Sequence, residues 1–304
     1  MNNLVVLGSV NADHVLQVPS FPRPGETLHG YSYQVIPGGK GANQAVAAAR
    51  LKAAVGFIAC VGDDAFGTNI RHDFQTDGMN IDAVQVVENC PTGIAMIQVA
   101  DSGENSICIS AEANGKLDST MLKPHLHMIA GARYLLTQLE TPLDGIELAL
   151  KEAKKHDTKV ILNPAPAREL SDALLNCVDI ITPNETEAEV LTGIAVSDDE
   201  SAQRAADALH AKGIATVLIT LGAKGVWLSE RGRGQLVAGF KVDVIDTTAA
   251  GDTFNGALVT GLLEDRSLES AIKFAHAAAA ISVTRFGAQT SIPTRDEVDA
   301  FLNR

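Results

Sequence analysis

The segment 246-DTTAAGDTFNGALVTGLL-263 sets one carboxylate, Asp252, at the start of an apolar helix of small residues. Phe254, Ala257, Leu258 and Leu262 recur at helical spacing, which predicts a helix anchored in a core. The first N–H groups of a helix have no internal carbonyl partner. Gly251 admits close backbone approach by a ligand, while Asp246, Thr247 and Thr248 are expected to supply caps and turn hydroxyls. Such a helix mouth is an anion hole with a base at its rim. From the pattern alone, Asp252 serves equally well as a first-turn acid favoured by the helix dipole, so the rest of the chain has to decide.

A second glycine-lined turn into a helix stands at 38-GGKGANQAVAAARL-51, where Gly39 and Gly41 flank Lys40 and Asn43 follows. Lys40 precedes Gly41 rather than Ser or Thr, so this is no Walker A loop, and the dinucleotide-binding glycine fingerprint is missing as well. Asn11 and Asp13 follow the first apolar run, LVVLGSV, where a parallel sheet presents its binding edge. Being alternate residues of an extended chain, they face one side and can meet the same ligand, although either alone also suits a turn. Glu140 ends the run ARYLLTQLE, as a ligand group or as an ordinary strand-end charge. In 183-PNETEAE-189, Asn184 is placed to cap the next helix, or to organise Mg2+ and its water shell together with Glu187. The run 220-TLGAKG-225 is a strand-to-turn transition that suits nucleotide phosphates and also reads as a tight hairpin.

These residues need a frame. The apolar runs 4–10, 55–62, 132–139, 158–164, 178–184 and 216–222 are mostly followed by helical stretches. Continuous Val/Ile/Leu strands separated by helices predict a largely parallel sheet covered on both faces, an α/β fold of three layers, α/β/α. Residues 12–37 and 91–111 break the rhythm as two strand pairs too small for a core of their own. They are expected to join as a discontinuous β lid, leaving 1–11, 38–90 and 112–304 as the α/β core. Val15, Leu16, Ile94 and Met96 on the lid strands are expected to cover this subunit's pocket or to meet a second copy. The alanines of 271-AIKFAHAAAAISV-283 allow close helix approach.

The 304 residues carry a formal charge of −13, which argues against a broad nucleic-acid-binding surface. No run is long enough for a membrane span and the N-terminus has no basic leader, so a cytoplasmic protein is expected. Cys60, Cys90, Cys108 and Cys177 lack disulfide or zinc spacing, and Cys60 and Cys108 are expected to pack inside apolar strands.

Taken in order, LGSVNAD, GGKGANQAVAAARL, TPNETEAE, TLGAKG, DTTAAGDTFNGAL and AHAAAAISVTRFGAQTSIP resemble the ribokinase-like carbohydrate kinase family over essentially the whole chain. The resemblance implies that Asp252 is the general base for a sugar hydroxyl and that the backbone of Ala249, Ala250 and Gly251 is the anion hole. The Ala249-Ala250 pair replaces a glycine found in many members, a form that ribokinase-like members share. By the same resemblance Asn11, Asp13, Gly39, Lys40, Gly41, Asn43, Glu140 and Asp252 hold the sugar. Asn184, Glu187, Thr220, Gly222, Gly225, Gly251 and His276 lie on the ATP side, although a histidine in an alanine-rich helix is commonly a packed one. A K+ loop is implied at Asp246, Thr248, Ser282, Arg285, Gly287 and Ser291, several through backbone oxygens. The implied reaction, with Mg2+ and K+, is ATP-dependent phosphorylation of D-ribose at O5 to D-ribose 5-phosphate and ADP, in a homodimer joined through the lid. Deoxyribose or another sugar or nucleoside acceptor remains open, as does a sugar-binding protein without turnover.

Overall fold

A computed structural model describes residues 3–303. The strands are β1 (Leu4–Leu7), β2 (Asn11–Val18), β3 (Ser32–Gly38), β4 (Val55–Gly62), β5 (Asn80–Val87), β6 (Gly93–Ala100) and β7 (Asn105–Ser110). They continue with β8 (Tyr134–Thr137), β9 (Lys159–Leu162), β10 (Ile180–Ile181), β11 (Thr216–Thr220), β12 (Gly225–Glu230) and β13 (Arg233–Ala238). The helices are α1 (Lys40–Arg50), α2 (Ala65–Thr76), α3 (Ser119–Leu122), α4 (Leu126–Ala130), α5 (Leu143–Lys155) and α6 (Asp172–Leu175). After these come α7 (Glu185–Thr192), α8 (Asp199–Ala211), α9 (Ala250–Leu263), α10 (Leu268–Ser282) and α11 (Arg295–Leu302).

The main sheet has the order β13-β12-β11-β10-β9-β8-β1-β4-β5. It is parallel from β5 to β11, and β12 and β13 add an antiparallel edge. Alternation along β1 shows how both faces are covered. Leu4 and Val6 join a core with α1, α2 and Val259 of α9, while Val5 and Leu7 join one with α5, α7 and α8. The three-layer α/β/α fold is therefore as the apolar runs predict. Several runs shorten at their ends: 178–184 reduces to Ile180–Ile181, and 132–139 to Tyr134–Thr137. The freed positions at the carboxyl edge carry polar side chains instead. TLGAKG folds as a hairpin, with Gly222–Lys224 turning β11 back into antiparallel β12.

A second sheet, ordered β3-β2-β6-β7, pairs β2 with β6 in parallel and is otherwise antiparallel. On it Val15, Leu16 and Ile94 are half-buried and Met96 is exposed. Cys60 is buried in β4 as expected, but Cys108 is exposed on β7, because that strand is solvent-facing along its whole length.

α1 and α9 cross closely because small residues line their contact. A Cβ added to Gly256 would lie 2.6 Å from both the Ala47 Cβ and the Gln44 carbonyl oxygen. Gly256→Ala is therefore expected to cost about 1–3 kcal/mol of stability, read as a lower urea midpoint at an unchanged slope. An unshifted midpoint would mean that the helices part without penalty.

Candidate active site

The site is built where β1, β8, β9 and β10 end side by side. After β1 the chain continues as Gly8-Ser9-Val10 into β2, and α1 begins against this turn. A Cβ on Gly41 would lie 2.5 Å from the Gly8 carbonyl carbon and the Ser9 nitrogen, and Gly39 holds a φ of 90°. Only glycine fits both demands. The turn thereby brings Lys40 beside Glu140: Ser9 Oγ (2.6 Å) and the Lys40 N–H (3.1 Å) donate to Glu140 Oε2, and Lys40 Nζ lies 3.9 Å from Oε1.

Asn11 is the first residue of β2, and its Oδ1 accepts from Asn114 Nδ2 at 2.8 Å. Asn114 itself is fixed by the Val10 backbone N–H and carbonyl, so the Asn11 amide keeps its NH2 group for another acceptor. Asp13 lies two residues on, its carboxylate against Gly38, where a Cβ would approach Oδ2 to 2.0 Å. Asp13 Oδ1 is buried and makes no hydrogen bond among the described residues. Burial first, and then the Glu140 carboxylate, push the Asp13 carboxyl up to about 7, against the pull of Lys40.

Asp252 stands in the first turn of α9 and is buried. Asn43 Nδ2 donates to its Oδ2 at 3.0 Å and Gln44 Nε2 to its Oδ1 at 2.9 Å, both from α1. The capping expectation needs correction. The residue before α9 is Ala249, held at a φ of 58° with no side-chain cap, while Asp246 Oδ1 accepts from Thr248 N (2.9 Å) and Oγ1 (2.7 Å) one turn earlier. A left-handed alanine is costly and marks a constrained backbone. Ala250 N–H donates to the Thr247 carbonyl at 3.2 Å, but among the described residues the N–H groups of Ala249, Gly251 and Asp252 meet no acceptor. A Cβ on Gly251 would meet nothing within 4 Å, so this glycine borders open space rather than a crowded contact. A helix N-terminus favours the ionised form of a first-turn carboxyl. Burial instead raises the pKa of Asp252, with Lys40, Asn43 and Gln44 opposing the rise.

Lys40 is the counter-charge to this acidic cleft. Burial pulls its pKa down, but the carboxylates of Asp252, Glu140, Glu187 and Asp13 outweigh that and hold the ammonium above its ordinary value. Glu187 projects from α7, where Asn184 and Glu187 form a capping box: Asn184 Oδ1 accepts from the Glu187 N–H (2.8 Å), and Glu187 Oε2 from the Asn184 N–H (2.9 Å). Both roles foreseen for Asn184 are compatible, since its Nδ2 and Glu187 Oε1 lie outside the box. Burial raises the Glu187 carboxyl.

The remaining sequence-selected residues lie beyond this cluster. Thr220 donates its N–H to the Pro183 carbonyl at 2.9 Å, which ties β11 to the start of α7. Gly222 and Gly225 hold φ of 55° and 118° in the hairpin, and a Cβ on Gly225 would lie 2.1 Å from the Val237 carbonyl oxygen. His276 is a buried residue of α10, its ring 5.4 Å from that of Phe254; burial lowers its pKa and Nε2 finds no partner among the described residues. The loops 245–248 and 283–287 meet where Asp246 Oδ2 accepts from the Gly287 N–H at 2.9 Å. Ser282 and Ser291 donate their hydroxyls to the Ala279 and Ala288 carbonyls, and Arg285 pairs with Glu297.

Five further residues complete the site and escaped the motif reading: Ser9, Gln44, Asn114, Gln138 and Asn163. Gln44 was within GGKGANQ, and Gln138 and Asn163 end apolar strands as Glu140 does, so the same edge rule points to them.

The Asp13 environment has a measurable consequence. Between its ordinary value of 3.8 and about 7, the fold retains a proton that the unfolded chain has released, so stability falls as pH rises through that window. Asp13→Asn cannot ionise and is expected to be more stable than the parent by about 4 kcal/mol at pH 7.5 and nearly equal to it near pH 4, by urea unfolding without sugar. Equal stabilities at both pH values would contradict the buried carboxyl.

Comparison with known proteins agrees with this architecture. Residues 1–295 match the model of the pfkB family carbohydrate kinases. The chain is 57% identical to a ribokinase of Haemophilus influenzae over 98% of each protein, and 35% identical to a deoxyribokinase of Salmonella typhi over 99% of each. Among solved structures, Arabidopsis thaliana ribokinase complexed with ribose and ATP superposes with a TM-score of 0.94 at 35% identity, covering all of both chains. Motif order, three-layer fold and whole-length similarity lead to one assignment: the chain belongs to the pfkB family of carbohydrate kinases.

Proposed function

We propose that the chain transfers the terminal phosphoryl group of ATP to O5 of D-ribose, giving D-ribose 5-phosphate and ADP. The observation that carries this reading is the mouth of α9: a buried carboxylate with a hydrogen-bond donor on each oxygen, beside backbone N–H groups that meet no acceptor among the described residues. Asp252 takes the proton of the attacking hydroxyl as the new O–P bond forms and the bond to ADP breaks. A carboxyl raised by burial is the stronger base once ionised, and Lys40 opposes that rise. The Ala249, Gly251 and Asp252 N–H groups receive the charge of the transferring group, and the Ala250 N–H is shared with Thr247.

Asn11, Asp13, Gly39, Lys40, Gly41, Asn43 and Glu140 supply a wall of donors and acceptors suited to sugar hydroxyls, and a site built this way rejects ligands that leave such groups unpaired. Asn184, Glu187, Thr220, Gly222, Gly225 and His276 form the ATP side. Mg2+ neutralises charge between the phosphoryl groups when bound with ATP, and Glu187 Oε1 with Asn184 Nδ2 is suited to its water shell. For K+, the donors are all oxygens: the Asp246 carboxylate, the Thr248 hydroxyl and the carbonyls of Ser282, Arg285, Gly287 and Ser291. Their chemistry fits a hard cation, and the Asp246 carboxyl stays ionised because its hydrogen bonds with Thr248 and Gly287 outweigh burial.

The second sheet acts in this reading as a lid over the sugar and as the contact between two copies, in the cytoplasm. Exposed apolar side chains stand on both of its faces, Ile107 and Ile109 on the Asp13 side and Tyr33 and Met96 on the other, and support contacts on either side.

ADP formation with ATP, Mg2+ and K+ is expected to be fastest with D-ribose among ribose, 2-deoxyribose, fructose and adenosine, and slower without K+. Asp252→Asn is expected to lower kcat by about 10^3-fold; a loss under tenfold overturns the base role. Preference for 2-deoxyribose reassigns the acceptor, and tight ribose binding without turnover points to a sugar-binding protein. Saturating ribose is expected to slow amide exchange in residues 12–37 and 91–111, and Ile109→Asp to lower the mass in sedimentation. Unchanged exchange and unchanged mass would remove the lid and the dimer.

A further inference from the structure

Asn43 and Gln44 both hold Asp252, but they are not equivalent. Asn43 Oδ1 is buried and makes no hydrogen bond among the described residues, none of which pins that amide from behind. Gln44 is fully buried, and both N–H groups and the oxygen of its amide are engaged. Nε2 donates to Asp252 Oδ1 (2.9 Å) and to Asn163 Oδ1 (3.0 Å), and Oε1 accepts from Gln138 Nε2 at 2.6 Å. Asn163 in turn donates to the Thr182 carbonyl at 3.2 Å.

We propose that Gln44 is a positioning residue for phosphoryl transfer: anchored by Gln138 and Asn163, it holds the Asp252 carboxylate in one orientation, ready to receive the proton. The proposal rests on the reading of Asp252 as the base. Polarity fixes the arrangement, because a flipped Gln44 amide would turn its oxygen against the carboxylate and its NH2 against the Gln138 NH2. Gln138 and Asn163 directly follow β8 and β9, neighbouring parallel strands, so the anchor is the rigid sheet rather than a loop. Space for the chain of amides is made by glycine. A Cβ on Gly8 would lie 2.2 Å from Gln138 Oε1, and one on Gly256 2.6 Å from the Gln44 carbonyl oxygen. Gln44 does not reach solvent, so its effect on the reaction passes through Asp252.

A donor at Oδ1 favours the ionised carboxylate. The other charged groups acting on Asp252 are Lys40 at the start of α1, Glu140 beyond β8, Asp13 of β2 and Glu187 of α7, all retained when Gln44 is changed. Gln44→Glu is nearly isosteric. It keeps an acceptor for Gln138 and turns an oxygen toward Asp252, making a carboxylate pair in which one proton is held more tightly.

The test is the pH profile of ADP formation with ribose, alongside ribose calorimetry and thermal unfolding of the full chain. For Gln44→Glu, kcat is expected to fall about 30-fold or more at pH 7 and its acidic limb to move up by about one pH unit or more. KM for ribose is expected to change by less than about threefold, because the sugar contacts remain. Gln138→Glu, which never touches Asp252, sets an oxygen against Gln44 Oε1 and is expected to move the limb in the same direction. An unmoved limb in both variants, with losses that follow the folded fraction, overturns the proposal in favour of a purely structural amide cluster. If Asp252→Asn retains most of its activity, the base assignment itself fails, an outcome distinct from any result at Gln44.

Discussion

The contact between α1 and α9 is the constraint on which the rest of the site depends. It puts the Asp252 carboxylate within reach of two amides from the other helix, at 3.0 and 2.9 Å. Burying a carboxylate is costly unless it is hydrogen-bonded, and bonds to a charged group contribute roughly 1.5–3 kcal/mol each. The helices approach this closely because Gly256 faces Ala47, and α1 sits where it does because Gly41 lies on Gly8 and Ser9. Packing of side-chain-free backbone is thus the physical basis of the chemical geometry.

The same packing concentrates charge. Asp13, Glu140, Glu187 and Asp252 all act on one ammonium, Lys40. Burial disfavours the ionised forms of Asp13, Glu187 and Asp252, which is why Asp13 is pushed up to about 7 and why Asp252 rises in spite of its place in a helix's first turn. Lys40 therefore matters for the state of the acids as much as for any contact of its own.

Much of this was legible in the chain. Alternating strand and helix runs gave the layers, since the rules that cover both faces of a parallel sheet act on local hydrophobic patterns. The glycine pairs around Lys40 and the Gly251-Asp252 dipeptide were visible because helix entry imposes local demands on residue type. Cys108 shows where such reading fails: an apolar strand looks the same in a core and on an open face.

The sequence by itself determined the family, the fold class and the residues that begin each glycine-lined turn, because these follow from local backbone preference and from motif order. Tertiary structure alone decided how those residues are held. Gln44 and Asp252 are separated by 208 positions and Gln44 and Gln138 by 94, so no local pattern records the hydrogen bonds that join them. Burial likewise belongs to the assembled layers: the shifts at Asp13 and Asp252 arise from low dielectric and from charges that the chain brings together only when folded.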